Sequence, residues 1–232
     1  MIDYQMMREG WVLTSCLHSG PIALSEVTRA AESPSWLERD AKLPAGTIAR
    51  GLNALCARYG SCGVMAVDGD AVVGKVRFGP ALAQDLIPEC AQQFADRWPS
   101  FDPDGLPPSK ALRIWCVQVV DDECYRRRGI ATAMLERAIA WAREEGWEEI
   151  HAGATLAIGP LLEWTGAFSV DAYARLGFSV AVSRVSPELL EGVRHMRAGG
   201  HGDDVKEQWA AFEHLSDAEA GTLYDVALAL RD

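Results

Sequence analysis

Tyr125-Arg126-Arg127-Arg128-Gly129-Ile130-Ala131-Thr132 decides how this chain is read. Before it lies a strand-like apolar run, Leu112 to Val120. After it lies a strongly amphipathic segment, Ile130 to Glu145. Apolar residues recur there at Ile130, Met134, Ala138 and Ala142, with Leu135 and Ile139 alongside, which is helical period. The first N–H groups of a helix have no partner within the helix. Ser, Thr, Asp or Asn usually caps them. Here Arg128 and Gly129 stand at the entrance, so those N–H groups are left to bind an external anion. Three arginines add charge. A solvated basic turn is the plainer alternative for Arg126 to Arg128.

Working outward, Cys62 to Val67 and Ala71 to Phe78 flank Asp68-Gly69-Asp70, a tight-hairpin signal. Leu112 to Val120 is almost wholly apolar, as a central strand covered on both faces would be. Gly146 ends the long helix, and Glu148 to Ala152 starts another strand. Residues 153–166 read as irregular. A short helix spans Ser169 to Leu176 and stops at Gly177, and Phe178 to Val185 reads as the last strand. Upstream, a short strand is expected around Trp11 to Leu17 and a helix at Leu52 to Tyr59, ended by Gly60. Residues 79–110 interrupt the pattern: Ala81 to Arg97 is compatible with helix, and Pro99, Pro103, Pro107 and Pro108 break any regular element after it. The tail, 186–232, reads as helical in two or three pieces. Ser216-Asp217-Ala218-Glu219 has capping-box spacing.

The chain has 232 residues, 49% hydrophobic, and a net charge of −11. An acidic chain is poorly suited to general nucleic-acid binding. The arginine triplet is a local exception. No apolar run is long enough to span a bilayer, and Met1-Ile2-Asp3-Tyr4 does not have the pattern of a signal peptide. Six cysteines (16, 56, 62, 90, 116 and 124) form no C-x-x-C pair and no zinc-ligand cluster, so no metal is expected. They read as reduced thiols in a cytoplasmic protein.

The order strand, Arg-x-x-Gly-x-Ala loop, long helix, strand, short helix and Tyr-x-x-x-Gly-Phe resembles the GNAT superfamily of acyl-CoA-dependent N-acyltransferases. Arg126-Arg127-Arg128-Gly129-Ile130-Ala131 matches the family's [Gln/Arg]-x-x-Gly-x-[Gly/Ala] signature. Tyr173, Gly177 and Phe178 match its tyrosine and Gly-Phe pair. The likeness covers residues 62–185. Ile114 to Val119 is also similar to a bacterial branch that carries an insertion before its central strand. Two positions depart from the pattern. The stretch Val119 to Gly129 is about two residues longer than usual, and Gly166 stands where an asparagine is common.

The resemblance implies an α/β fold with a central mixed, splayed sheet flanked by helices. The expected domain is 1–185, with 79–110 inserted and 186–232 as a helical extension packed on it. It implies acetyl-CoA as co-substrate. Backbone groups of Val117 and Val119 would hold the pantetheine, and Arg126, Arg127, Arg128, Gly129, Ile130, Ala131 and Thr132 the phosphates. The reaction implied is direct attack of a primary amine on the thioester. Tyr173 would serve as general acid; the alternative for it is a packed tyrosine near a helix end. The general base is left among Glu163, His151 and Asp171, with Glu163 ranked first. Trp115, Trp164 and Phe168 line an acceptor pocket or belong to the core. The amine acceptor is a small molecule or a protein, and the acidic charge favours a cationic one. A non-catalytic acyl-CoA-binding sensor is the rival function. Acceptor identity and acyl-chain preference are not legible, nor is oligomeric state, although the tail offers a homodimer contact.

Overall fold

A computed structural model of the chain describes residues 1–15, 17, 20–27, 46–81, 110–165, 167–200 and 202–231. The side chains of Glu163, Trp164 and Asp203 lie outside that description. So do most of the 79–110 insertion, the helix expected at 81–97, Gly166, and the thiols Cys16 and Cys90. The described residues form a mixed α/β structure with sheet flanked by helices. The chain divides into two compact units, Met1–Glu148 and Glu149–Asp232.

In the first unit, β1 (Ile2–Met6) pairs antiparallel with β3 (Gly63–Asp68), and β3 with β4 (Ala71–Pro80). The β3–β4 hairpin closes where it was expected: Asp68 faces Ala71, and Gly69 takes a φ of 59° in the turn. β2 (Ile22–Ala23) adds to β4, and α1 (Leu24–Val27) follows it. β4 also pairs with β5 (Ala111–Val119). The expected strand at Trp11 to Leu17 is corrected. The N-terminal strand is β1, and Val12, Leu13 and Leu17 are buried without belonging to a strand. Asp3 and Gln5 interrupt the apolar character of β1 and hid it, whereas the apolar run after it serves packing.

β5 carries an irregularity. Arg77 faces Cys116 and Phe78 faces Ile114, so Trp115 is an extra residue, as in a β-bulge. The bulge puts Ile114 and Val117 on one face with Val76 and Phe78. That face receives α3 (Ile130–Glu144), whose stripe Ile130, Met134, Leu135, Ala138, Ile139, Trp141 and Ala142 is buried. Trp141 stacks on Phe78 with ring centroids 4.9 Å apart. Met134 packs so closely over Gly74 that a Cβ there would sit 2.9 Å from its terminal methyl. The opposite face carries Lys75 and Arg77 of β4 and Arg113 of β5, all buried. α2 (Thr47–Tyr59) ends at Gly60, which has a φ of 87°.

In the second unit, β6 (Glu149–Thr155) pairs antiparallel with β9 (Thr222–Ala229), and β9 with β8 (Ser179–Val185). β7 (Phe168–Ser169) runs parallel to β6. The 153–166 stretch is more regular than expected: β6 extends to Thr155, and α4 covers Gly159–Thr165. The tail is helical over α6 (Pro187–Arg197), α7 (Asp203–Ala210) and α8 (Asp217–Ala220). Its last stretch is β9, so the all-helical reading of 186–232 is corrected. The capping box at Ser216 and Glu219 is present, but it opens a helix of only 4 residues. Alanines and leucines in Thr222–Ala229 suited helix locally. Cross-strand pairing on both sides, which is not local, made it a strand.

Candidate functional site: the loop before α3 and the Tyr173 segment

α3 begins at Ile130 with no side-chain cap. Its first intrahelical bond runs from Ala133 N–H to the Gly129 carbonyl, at 2.9 Å. The N–H groups of Ile130, Ala131 and Thr132 therefore have no helical acceptor. Gly129 has a φ of 73°, and Arg127 a φ of 55°, the one positive φ at a non-glycine among the described residues. A non-glycine residue in the left-handed region costs about 1–2 kcal/mol, and such strain collects at binding sites. Left-handed residues alternating with ordinary ones turn successive N–H groups inward, forming a concave anion site. The helix dipole adds to its positive potential.

The three arginines do not play equal parts. Arg126 Nε donates to Asp121 Oδ1 at 2.6 Å, and its guanidinium forms an ion pair with that carboxylate. Arg128 Nη1 donates to the Cys124 carbonyl at 3.1 Å. Both brace the loop. Arg127 has no side-chain partner among the described residues and is exposed, so it is the arginine best placed to meet a phosphate. The extra residues of the loop form a turn around Asp122, whose carbonyl accepts from Tyr125 N–H at 2.9 Å and Arg126 N–H at 3.0 Å. The Cys124 N–H donates to the Asp122 carboxylate at 2.9 Å and holds its pKa below the usual range. Tyr125 Oη reaches Asp68 of β3 at 3.2 Å, tying the turn to the hairpin.

β5 leads into this loop with a fixed polarity. Val120 N–H donates to the Val73 carbonyl at 2.9 Å, which makes 73/120 a hydrogen-bonded pair. Antiparallel pairs alternate. At Val119 and Val117, opposite Gly74 and Val76, the main-chain groups therefore point away from β4. Those are the two residues that sequence reading assigned to an extended ligand arm. The inward N–H groups, the exposed Arg127 cation and this polarity fit the diphosphate and pantetheine of acetyl-CoA. When bound, acetyl-CoA supplies an activated acyl thioester.

In the second unit, α5 (Val170–Arg175) is capped by Ser169, whose Oγ accepts from Ala172 N–H at 3.2 Å. Gly177 ends the segment with a φ of 90°, and the Phe178 N–H returns to the Tyr173 carbonyl at 3.1 Å. Tyr173 is 1% exposed. It packs edge-on to Phe168 at 5.2 Å and tilted against Phe178 at 4.9 Å. The glycine turn thus fixes the ring by closing the chain around it.

Of the three base candidates, Asp171 is exposed in the first turn of α5 and Glu163 lies outside the described side chains. His151 on β6 has Nε2 3.2 Å from Glu149 Oε2 and Nδ1 3.8 Å from Asp225 Oδ2 on β9. The second distance is that of an ion pair rather than a hydrogen bond. Asp225, and then Glu149, raise the His151 pKa against the opposing effect of burial. Both ring nitrogens face carboxylates, which favours the protonated ring and makes His151 a weaker candidate for accepting a proton. Its contribution to stability is full below the unfolded pKa, about 6.5, and is lost as pH rises through the raised folded value. Urea midpoints are expected to fall across that window, and Asp225→Asn is expected to flatten the fall. A wild-type midpoint that does not drop there would refute this pairing.

Among the described residues no group of three or more His, Cys, Asp or Glu is arranged to hold a metal ion. No helix among them is long and apolar enough to cross a membrane.

No curated protein matches the chain. Among solved structures, an acetyltransferase of the GNAT family from Streptococcus pneumoniae is similar at 11% identity and a TM-score of 0.51, with 99% of each chain covered. A Salmonella typhimurium protein, whose structure is with its cofactor acetyl-CoA, is similar at 11% identity and a TM-score of 0.50, covering 100% of this chain and 95% of that one. At this identity the likeness speaks for the fold alone. Residues 26–159, more than half of the chain, match the acetyltransferase (GNAT) family. With the fold, the uncapped helix entrance and the glycine loop in place, the chain belongs to the GNAT family of acetyltransferases, whose acyl donor is acetyl-CoA.

Proposed function

We propose that the protein is an N-acetyltransferase that moves an acetyl group from acetyl-CoA to a primary amine. The uncapped N-terminus of α3, turned into an anion site by Arg127 and Gly129, carries this reading. Backbone N–H groups of Ile130 to Thr132 hold the diphosphate, with Arg126 and Arg128 bracing the loop. Main-chain groups of Val117 and Val119 hold the pantetheine, and an N–H near Val117 polarises the carbonyl under attack. Tyr173 donates a proton to the sulfur as it leaves. A phenol with an ordinary pKa of about 10 is able to do so. Glu163, on α4, takes the proton released by the amine. The acceptor is a small molecule or a protein amine, and the −11 charge of the chain favours cationic acceptors. We set the protein in the cytoplasm, where its reduced thiols are at home.

One observation supports a second reading. β5 runs Ala111-Leu112-Arg113-Ile114-Trp115-Cys116-Val117-Gln118-Val119 and has no acid to act as base, as a non-catalytic acyl-CoA-binding module would allow. A panel of amines assayed with a thiol reagent separates the two. The enzyme is expected to release free thiol from acetyl-CoA with at least one amine. Acetyl-CoA that raises the melting temperature but yields no thiol with any amine would assign the binding module. No rise in melting temperature would remove the diphosphate site itself.

A further inference from the structure

We propose that Cys56 and Cys62 form an oxidation site, a thiol pair that closes to a disulfide when a peroxide or a small-molecule disulfide reaches it. Cys56 sits in the last turn of α2, and Cys62 immediately precedes β3. Their Sγ atoms lie 3.3 Å apart, and both thiols are free. Gly60, in the left-handed region, reverses the chain between them, and its N–H bonds the Cys56 carbonyl at 2.8 Å. The proposal does not rest on acyl transfer.

The two sides of the pair differ in freedom. The Cys62 carbonyl accepts from Phe78 N–H at 3.0 Å, and a Cβ on neighbouring Gly63 would lie 2.3 Å from the Val76 carbonyl. Cys62 is therefore fixed in the sheet and fully buried. Cys56 is 5% exposed and lies at a helix end, where local opening is cheapest. A disulfide needs a sulfur separation of about 2.0 Å, so closure asks for roughly an ångström of movement, supplied by the end of α2.

The chemistry is asymmetric as well. The hydrogen bond with Cys62 lowers the Cys56 pKa, while that bond and burial raise the Cys62 pKa. Cys56 loses its proton first, and the thiolate is the attacking form. Its sulfur attacks one peroxide oxygen; an S–O bond forms, the O–O bond breaks, and the departing hydroxide takes up the proton that Cys56 lost and leaves as water. The Cys62 sulfur then displaces the oxygen from Cys56, with loss of its own proton; an S–S bond forms and a second water leaves. Two electrons pass from the sulfurs to the peroxide. With a small-molecule disulfide as oxidant, two thiols are released instead.

The test uses the full-length wild-type chain. Native protein is treated with hydrogen peroxide or glutathione disulfide. Remaining thiols are blocked with a maleimide in denaturant, and the chain is digested with trypsin. Cleavage after Arg50, Arg58 and Lys75 puts Cys56 in peptide 51–58 and Cys62 in peptide 59–75. The expected result is one linked species, two hydrogens lighter than the separate peptides and split by dithiothreitol, with neither peptide carrying maleimide. The same link is expected in the Cys116→Ser/Cys124→Ser variant. Recovery of both peptides as maleimide adducts would overturn the proposal. So would either peptide joined to a different cysteine.

Discussion

Gly129→Asp is expected to weaken acetyl-CoA binding by about 100-fold or more while the protein stays folded. The added carboxylate would sit at the entrance to α3, where we propose the diphosphate is held. Two like charges about 5 Å apart repel by roughly 3 kcal/mol at an effective dielectric near 20. The same carboxylate would occupy orphan N–H groups and reduce the positive potential of the helix end, for about 0.3–1 kcal/mol more. Folding is affected much less. A Cβ at Gly129 meets nothing within 4 Å. The φ of 73° costs a non-glycine residue about 1 kcal/mol, aspartate is among the residues that best tolerate it, and its charge favours the helix N-terminus. Gly129→Asn has the same shape without the charge and is expected to lose about 100-fold less affinity. Calorimetric titration with acetyl-CoA and a thermal melt of both variants decide the matter. An unchanged dissociation constant in Gly129→Asp would place the diphosphate elsewhere.

Tyr173→Phe is expected to lower kcat by about 10²–10⁴-fold, the usual contribution of a general acid, with acetyl-CoA affinity unchanged. The phenylalanine ring keeps the contacts with Phe168 and Phe178, so the segment held by Ser169 and Gly177 is preserved. Loss of a buried hydroxyl's hydrogen bond costs stability about 1 kcal/mol, too little to unfold the chain on its own. Thiol release with an amine identified by the panel measures kcat, and a separate titration measures binding. Equal kcat in variant and wild type would take Tyr173 out of the chemistry and leave it a packing residue. A fall in binding without a fall in kcat would do the same.

Much of the first unit was legible because its signals are local. Asp68-Gly69-Asp70 specifies a tight turn, and the strands on either side follow from it. The stripe from Ile130 to Ala142 specifies a helix with one apolar face. The remaining features depend on distant partners. Trp115 reads as one more apolar strand residue, yet the register of β5 against β4 makes it the extra residue of the irregularity. Lys75, Arg77 and Arg113 are cations within runs that read as mostly apolar, and the fold buries all three on one face. Arg126, Arg127 and Arg128 look equivalent in sequence. Asp121 and the Cys124 carbonyl engage the first and third, leaving Arg127 facing solvent. Cys56 and Cys62 show no motif spacing, and only the reversal at Gly60 brings their sulfurs together.

The sequence by itself determined the local features on which the proposed acyl donor site rests: a glycine-ended loop, an uncapped helix entrance and the strand before them are set by neighbours within a few residues. The tertiary structure alone decided that Thr222–Ala229 is a strand. Its helix-compatible composition gave way to pairing with β6 on one side and β8 on the other. It also decided that His151 faces two carboxylates that favour its protonated form, since Asp225 reaches it across a strand pair from far along the chain. Local preference is worth tenths of a kcal/mol per residue, and burial with cross-strand pairing outweighs it once distant segments meet.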